Sequence, residues 1–281
     1  MEIHVSYQGV EGSYSSMAAH EYFGDVPRTG FPTFDAVVCA VRDDAATHAL
    51  LPIENSTAGR VADLHHLLPK SDLTAVGEHF LPVRHALIGL EGSTLSTVTH
   101  AYSHREALAQ CVRTLRDLNI TPVPFADTAQ SVAHIIENNN PRFAAIASTY
   151  AATLHQHVQI LKENIQDVPD NVTRFLILSK NPLNKPCIAD CITSIVYNVP
   201  DSPAALYESL GVFARNGINI IKLESFVPMQ RHKDAHFYLE CTGASTQEPL
   251  RAVLQELEAH TRDMCVLGSY EKSAYRARFA Q

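Results

Sequence analysis

A hydroxyl, a guanidinium and an aromatic ring stand in three consecutive residues, Thr173-Arg174-Phe175. They follow a turn signal, Pro169-Asp170-Asn171, and lead into the apolar run Leu176-Ile177-Leu178, which predicts a strand beginning there. Alternation along a strand puts Thr173 and Phe175 on one face and Arg174 on the other. A hydroxyl can donate a hydrogen bond to a ligand, and a guanidinium suits bidentate binding of a carboxylate. Turned away, Arg174 serves instead as a structural ion pair. A second polar cluster, Glu54-Asn55-Ser56-Thr57, ends the apolar run at 48–53. Asn, Ser and Thr all cap helices, but this run of polar residues, continued by the small Ala58 and Gly59, exceeds what one cap needs, which favours a functional role. Ser13 likewise stands between a predicted strand and a helix start, and free backbone N–H groups there and near Ser56-Thr57 can receive an anion; Ser103-His104 also lie between a predicted strand and a helix.

Positioning these residues requires alternating strands and helices. The pattern predicts strands near 3–7, 48–53, 98–102, 120–123, 143–147, 158–161 and 172–178, with helices between them. Residues 73–90 read as extended. Two successive α/β units joined by extended crossings imply two lobes with a cleft, the chain crossing near 76–80 and returning near 163–168. Ligands of such sheets sit beyond the strand ends, where the polar clusters lie. Gly9 and Gly12 do not complete a G-x-G-x-x-G, so a dinucleotide is not expected.

Residues 180–189 are rich in Pro, Asn and Lys and read as a linker. Beyond it the order strand (191–197), helix (203–215), strand (218–226), strand (235–242), helix (247–259), strand (263–270) predicts a ferredoxin-like βαββαβ module. The expected division is therefore 1–180 and 190–281.

At 281 residues the chain can hold two domains. A net charge of −8 argues against nucleic-acid or anionic-membrane partners. No apolar run reaches the roughly 20 residues of a membrane span, and no targeting segment is read at the start, so a cytoplasmic protein is expected. The six scattered cysteines are read as reduced thiols; Cys187 and Cys191 have no second pair to complete a zinc set. The fifteen histidines lack the acidic or thiol company of a metal cluster, so neither metal nor cofactor is expected.

Four patches together resemble the prephenate dehydratase family: Gly9-Val10-Glu11-Gly12-Ser13-Tyr14-Ser15, Leu51-Pro52-Ile53-Glu54-Asn55-Ser56-Thr57-Ala58-Gly59, Tyr102-Ser103-His104 with Gln110-Cys111, and Asn164-Ile165-Gln166-Asp167 leading to Asn171-Val172-Thr173-Arg174-Phe175. The resemblance covers essentially the whole chain. It implies an α/β, two-lobed catalytic region shaped like a periplasmic binding protein, converting prephenate to phenylpyruvate, water and carbon dioxide. Thr173 would be catalytic, with Glu54, Asn55, Ser56, Thr57, Ser13, Ser103, His104, Arg174 and Phe175 around the substrate, and His104 and Glu54 as titratable neighbours. The C-terminal module resembles an ACT domain, which implies phenylalanine as feedback effector at a subunit interface of a homodimer or homotetramer. Its site would involve Ala204, Ala205 and Leu206, where the family reads P-G-A-L, and Leu223, Glu224 and Ser225, where it reads E-S-R-P. Here Gly is replaced by Ala204, and Phe226-Val227-Pro228 follows in place of Arg-Pro. No chorismate mutase segment is read before residue 1, so a monofunctional enzyme is expected. Arogenate dehydratase and a non-catalytic amino-acid or solute sensor are the alternatives.

Overall fold

In the computed structural model, residues 2–182, 187–226 and 235–279 are described. The first lobe opens with β1 (Val5–Gln8), α1 (Tyr14–Phe23), β2 (Arg28–Phe31), α2 (Phe34–Arg42) and β3 (His48–Asn55). Helical crossovers make these strands parallel, in the order β2-β1-β3. Ser13 and Thr33 start the two helices by accepting from Ser16 N and Ala36 N, each at 3.2 Å. Strand β2 was not anticipated. It is only Arg-Thr-Gly-Phe, on the sheet edge, and its two central residues are exposed, so it carries no apolar alternation. The lobe continues through β4 (Gly59–Arg60), α3 (Ala62–Leu67) and β5 (Thr74–Pro82).

The second lobe comprises β6 (Ala86–Leu90), β7 (His100–Ser103), α4 (Arg105–Ala109), α5 (Val112–Asp117), β8 (Thr121–Pro124), α6 (Gln130–Asn138), β9 (Phe143–Ala147), α7 (Thr149–Thr153) and β10 (Val158–Lys162). Its strand order is β10-β6-β9-β7-β8. Pro122 and Pro124 are tolerated because β8 is an edge strand. The chain then re-enters the first sheet as β11 (Val172–Ser179), antiparallel between β3 and β5. The outward crossing lies later than the expected 76–80. Those residues are held in β5 by their ladder to β11, and the chain leaves the sheet only after Pro82. It returns between Lys162 and Val172.

The C-terminal part runs β12 (Cys191–Val199), α8 (Ala205–Arg215), β13 (Ile220–Phe226), β14 (Ala235–Thr242), α9 (Leu250–Glu258), β15 (Met264–Glu271), then a 3-10 turn at Ala274–Phe279. Its antiparallel sheet has the order β13-β14-β12-β15, the ferredoxin-like arrangement. Both faces are covered. Ile195, Tyr197 and Leu239 pack under α8 and α9, against Phe213, Val253 and Leu257. Ile192, Val196, Tyr238, Leu267 and Tyr270 instead share one core with Leu51, Ile53, Leu64, Leu176 and Leu178 of the first sheet. Fully burying such side chains contributes about 1.5–3 kcal/mol each, so apolar burial dominates the docking of this module. Strand β15 crosses β5 so closely that a Cβ on Gly268 (φ 153°) would collide with the Ala75 carbonyl.

Cys187 and Cys191 are disulfide-bonded, which corrects the reading of six free thiols: four residues apart, their Cα atoms come within 5.9 Å. Linker residues 183–186 lie outside the described residues. No helix among the described residues is long and apolar enough to cross a membrane.

Candidate active site

A cavity of about 460 Å³ lies where the two lobes face each other. The first lobe contributes Gln8, Gly9 and the start of α1; the second contributes His104, Glu106, Gln110 and the Asp127-Thr128 turn. The crossing contributes His85, and the returning strand contributes Asn171, Thr173 and Phe175.

Thr173 reaches this cavity because β11 pairs with β3 in a register that sets it opposite Asn55. Asn55 Nδ2 donates to Thr173 Oγ1 at 3.0 Å and to Asn171 Oδ1 at 2.8 Å. Asn55 Oδ1 accepts from Thr57 N and Ala58 N, at 2.9 and 2.8 Å, which fixes the side chain in an Asx turn. Because Thr173 Oγ1 accepts from Asn55, its own proton is left to donate into the cavity. A bulge assists the geometry. Arg174 pairs with Glu54 and Phe175 with Pro52, so Ile53 has no partner on β11, and Asn55 and Pro52 both line the cavity although three residues apart.

The hydrogen bonds continue from Asn55 across the cleft. Asn171 Nδ2 donates to Gln110 Oε1 at 2.8 Å, and His85 Nε2 lies 3.0 Å from the same oxygen. The Tyr14 hydroxyl lies 2.7 Å from His85 Nδ1 and 2.8 Å from the Arg84 carbonyl oxygen, and its single proton is shared between these two acceptors. Burial pushes the His85 pKa down despite the bond to Gln110, so the ring is neutral near pH 7. That network assigns Nε2–H as donor to Gln110 and Nδ1 as acceptor from Tyr14. Burial raises the Tyr14 pKa, so its phenol stays protonated. The Cys111 thiol beside Gln110 is pushed up to about 12 by burial and by Asp167, which removes it as a nucleophile.

Of the residues singled out from the sequence, Thr173, Asn55, Phe175, Ser13 and His104 line the cavity. Ser13 caps α1, and the first helical residues, Tyr14 and Ser15, line the same space. His104 caps α4 through Nδ1, which accepts from Glu106 N at 3.4 Å and leaves Nε2–H free. The others do not line it. Ser103 is fully buried and donates to the Ile146 carbonyl at 2.6 Å, tying β7 to β9. Ser56 latches the start of β11, accepting from Val172 N at 2.9 Å, and Thr57 is exposed in the turn. Arg174 and Glu54 project from the opposite face of the sheet. Arg174 is only 1% exposed and meets Glu78 at 2.8 Å, Glu240 at 2.6 Å and Glu54 at 3.3 Å. Strand alternation turns it away from the cavity that Thr173 faces, so it is the structural ion pair of the two possibilities.

Tyr14, His85, Gln110 and Asn171 were not identified as site residues. Gln110 and Asn171 stood in motif patches already noted, whereas His85 has no local signal, being a lone imidazole in an extended stretch.

The effector residues fall into two groups separated by β14. Ala204 holds the left-handed turn before α8 (φ 67°), with Ala205 and Leu206 opening the helix. Leu223, Glu224 and Ser225 lie on edge strand β13, where Glu224 sits 3.2 Å from both His65 Nε2 and Lys222 Nζ. Burial alone would raise the Glu224 pKa, but its contact with His65, the largest influence, lowers it. Val227 and Pro228 lie outside the described residues.

Comparison with known proteins identifies the family. The family described as Prephenate dehydratase matches residues 5–183. A bifunctional N-acyl-homoserine lactone acylase/prephenate dehydratase of Komagataeibacter europaeus is 34% identical over 98% of both chains. The chloroplastic arogenate dehydratase/prephenate dehydratase 2 of Arabidopsis thaliana is 35% identical, over 95% of this chain and 72% of the relative. The crystal structure of prephenate dehydratase from Arthrobacter aurescens in complex with L-Phe superposes with a TM-score of 0.87 at 28% identity, covering 99% of this chain and 96% of that one. With a family match over the catalytic lobes and relatives aligned along nearly the whole length, the chain belongs to the prephenate dehydratase family of hydro-lyases.

Proposed function

We propose that this chain converts prephenate to phenylpyruvate, releasing carbon dioxide and water, on the path to phenylalanine. The observation that carries the reading is the Thr173 hydroxyl, which accepts from Asn55 and so presents its proton to the cavity between the two lobes. In prephenate a ring carbon bearing a hydroxyl is flanked by two double bonds, and the opposite carbon bears a carboxylate. The electrons of the breaking C–carboxylate bond move into the ring as carbon dioxide leaves. The C–O bond then breaks, and hydroxide takes up one proton to become water. Aromatisation drives the step, so the protein need only hold the dianion, stabilise the departing oxygen and exclude bulk water.

Thr173 donates to that oxygen as negative charge develops on it. The full proton is taken up from solvent through water in the cleft, because a threonine hydroxyl is too weak an acid to give up its own and His104, with Nδ1 accepting from Glu106 N, offers its Nε2–H as a hydrogen bond without ionising. Phe175 walls the ring. First-turn amides of α1 receive a carboxylate, since neither Lys nor Arg is among the residues lining the cavity.

That same lining favours a second substrate. Glu106 and Asp127 border the cavity, so arogenate, which carries an ammonium in place of the side-chain keto group, meets less charge repulsion. Incubating the folded chain with each substrate, and following phenylpyruvate from prephenate and phenylalanine from arogenate, tests both readings. Turnover of neither rejects the dehydratase assignment.

Regulation follows the same reasoning. The C-terminal βαββαβ module is read as an ACT domain that takes phenylalanine between two copies of the chain, as a homodimer or homotetramer in the cytoplasm. The relative solved in complex with L-Phe supports phenylalanine as the ligand in this reading. An unchanged thermal midpoint and sedimentation coefficient on adding phenylalanine would reject it.

A further inference from the structure

We propose that Glu240, in the C-terminal module and outside the family match, is a positioning residue for the dehydratase site, acting through Arg174 and Glu54. The inference rests on the dehydratase reading above.

The motivating observation is a buried charge cluster on the face of the first sheet opposite the cavity. Glu240 and Glu78 have side chains fully excluded from solvent, and Arg174 sits between them. Arg174 Nη1 meets Glu240 at 2.6 Å, Nε donates to Glu78 at 2.8 Å, and Nη2 donates to the Tyr270 hydroxyl at 3.0 Å. Arg276, beyond β15, donates to Glu78 at 2.8 Å and to Glu240 at 2.9 Å. Tyr238 donates to Glu240 at 2.5 Å, and Ser194 bridges Tyr238 and Tyr270 at 3.2 and 2.8 Å. Two guanidiniums therefore balance two carboxylates, with strands of both modules supplying the partners. Lys222 of β13 adds an ion pair to Glu54 from the same side.

The placement of the cluster is what links it to chemistry. Arg174 and Glu54 are register partners, and each adjoins one member of the Asn55–Thr173 hydrogen bond. Strand backbone is stiff, so fixing Arg174 and Glu54 on one face fixes Thr173 and Asn55 on the other. A buried ion cluster stabilises no better than apolar packing of similar volume, but it holds one geometry. Apolar contact already docks the module, so the charges are left to set register and orientation. A misplacement of about 1 Å at a reacting group can cost on the order of a hundredfold in rate, which gives the cluster its leverage.

Steady-state kinetics of Glu240→Gln in the full-length chain, alone and combined with Thr173→Ala, tests this. Gln keeps the size and removes the charge. Expected is a kcat loss of about tenfold or more with KM within about threefold, and a loss below about twofold when Thr173 is already Ala. Equal losses in both backgrounds would mean fewer folded molecules and would overturn the proposal, as would an unchanged kcat. Should Glu240→Gln fail to fold, Tyr270→Phe removes one bond to Arg174 and must show the same dependence on Thr173; an additive effect overturns the proposal. Wild-type turnover with a silent Glu240→Gln rejects this inference alone, whereas absence of wild-type turnover rejects the dehydratase reading with it.

Discussion

Thr173 and Arg174 are consecutive on β11, yet the first faces the interlobe cavity while the second is sealed among three carboxylates on the opposite face. Strand alternation makes that division. One hydroxyl is left to react; one guanidinium is held immobile.

Asn55 should matter through its donor, not its bulk. Asn55→Asp keeps the shape but replaces the Nδ2–H groups that reach Thr173 Oγ1 and Asn171 Oδ1 with an acceptor. The carboxylate would capture the proton Thr173 needs for the substrate. We expect kcat to fall about ten- to a hundredfold, checked by steady-state kinetics with circular dichroism unchanged.

Acid should loosen the contact between the modules. Burial would raise the Glu240 pKa, but Arg174 and Arg276, assisted by Tyr238, hold it at about 2, below the ordinary 4.5. A carboxyl depressed in the folded state stabilises fully above its unfolded value, and that stability drains away as pH falls from about 4.5 toward 2. Unfolding free energy measured across that window should drop in wild type by a few kcal/mol more than in Glu240→Gln. Identical slopes for the two proteins would show that the cluster does not hold the charge as described.

Much of this arrangement was legible in the sequence, and the omissions have physical reasons. Apolar runs ending in polar clusters revealed both lobes, because a strand and its cap are local. The βαββαβ order was readable for the same reason, as was the face taken by Arg174 relative to Thr173. Glu240 was invisible: a single acid in a strand reads as a solvated position until a guanidinium from distant β11 is seen against it. His85 and Gln110 were overlooked because their partnership depends on how the crossing and the end of α4 meet. Ser103 misled in the opposite direction, since a hydroxyl at a strand end can as well tie two strands together.

Close approach of the sheets should make Gly268 intolerant. Gly268→Ala places a methyl group against the Ala75 backbone, and β5 cannot shift without disturbing β11. A loss of about 2–4 kcal/mol is expected. Gly92 (φ 83°) is also left-handed but has open space at its Cβ position, so Gly92→Ala should cost only about 1 kcal/mol of backbone strain. Denaturant unfolding of the two variants compares them directly.

Ala204 carries a conformational cost where a glycine would not. It is exposed at φ 67°, ahead of α8, in the segment read as part of the effector site. Ala204→Gly should raise stability by up to about 1 kcal/mol, read from the denaturation midpoint.

The most direct measurement is the turnover of prephenate by Thr173→Ala beside Thr173→Ser. Removing the hydroxyl should lower kcat about a hundredfold or more with KM within about threefold, while serine should keep kcat within about tenfold of wild type. An alanine variant that turns over at the wild-type rate would contradict the assignment of the Thr173 hydroxyl as donor to the leaving oxygen.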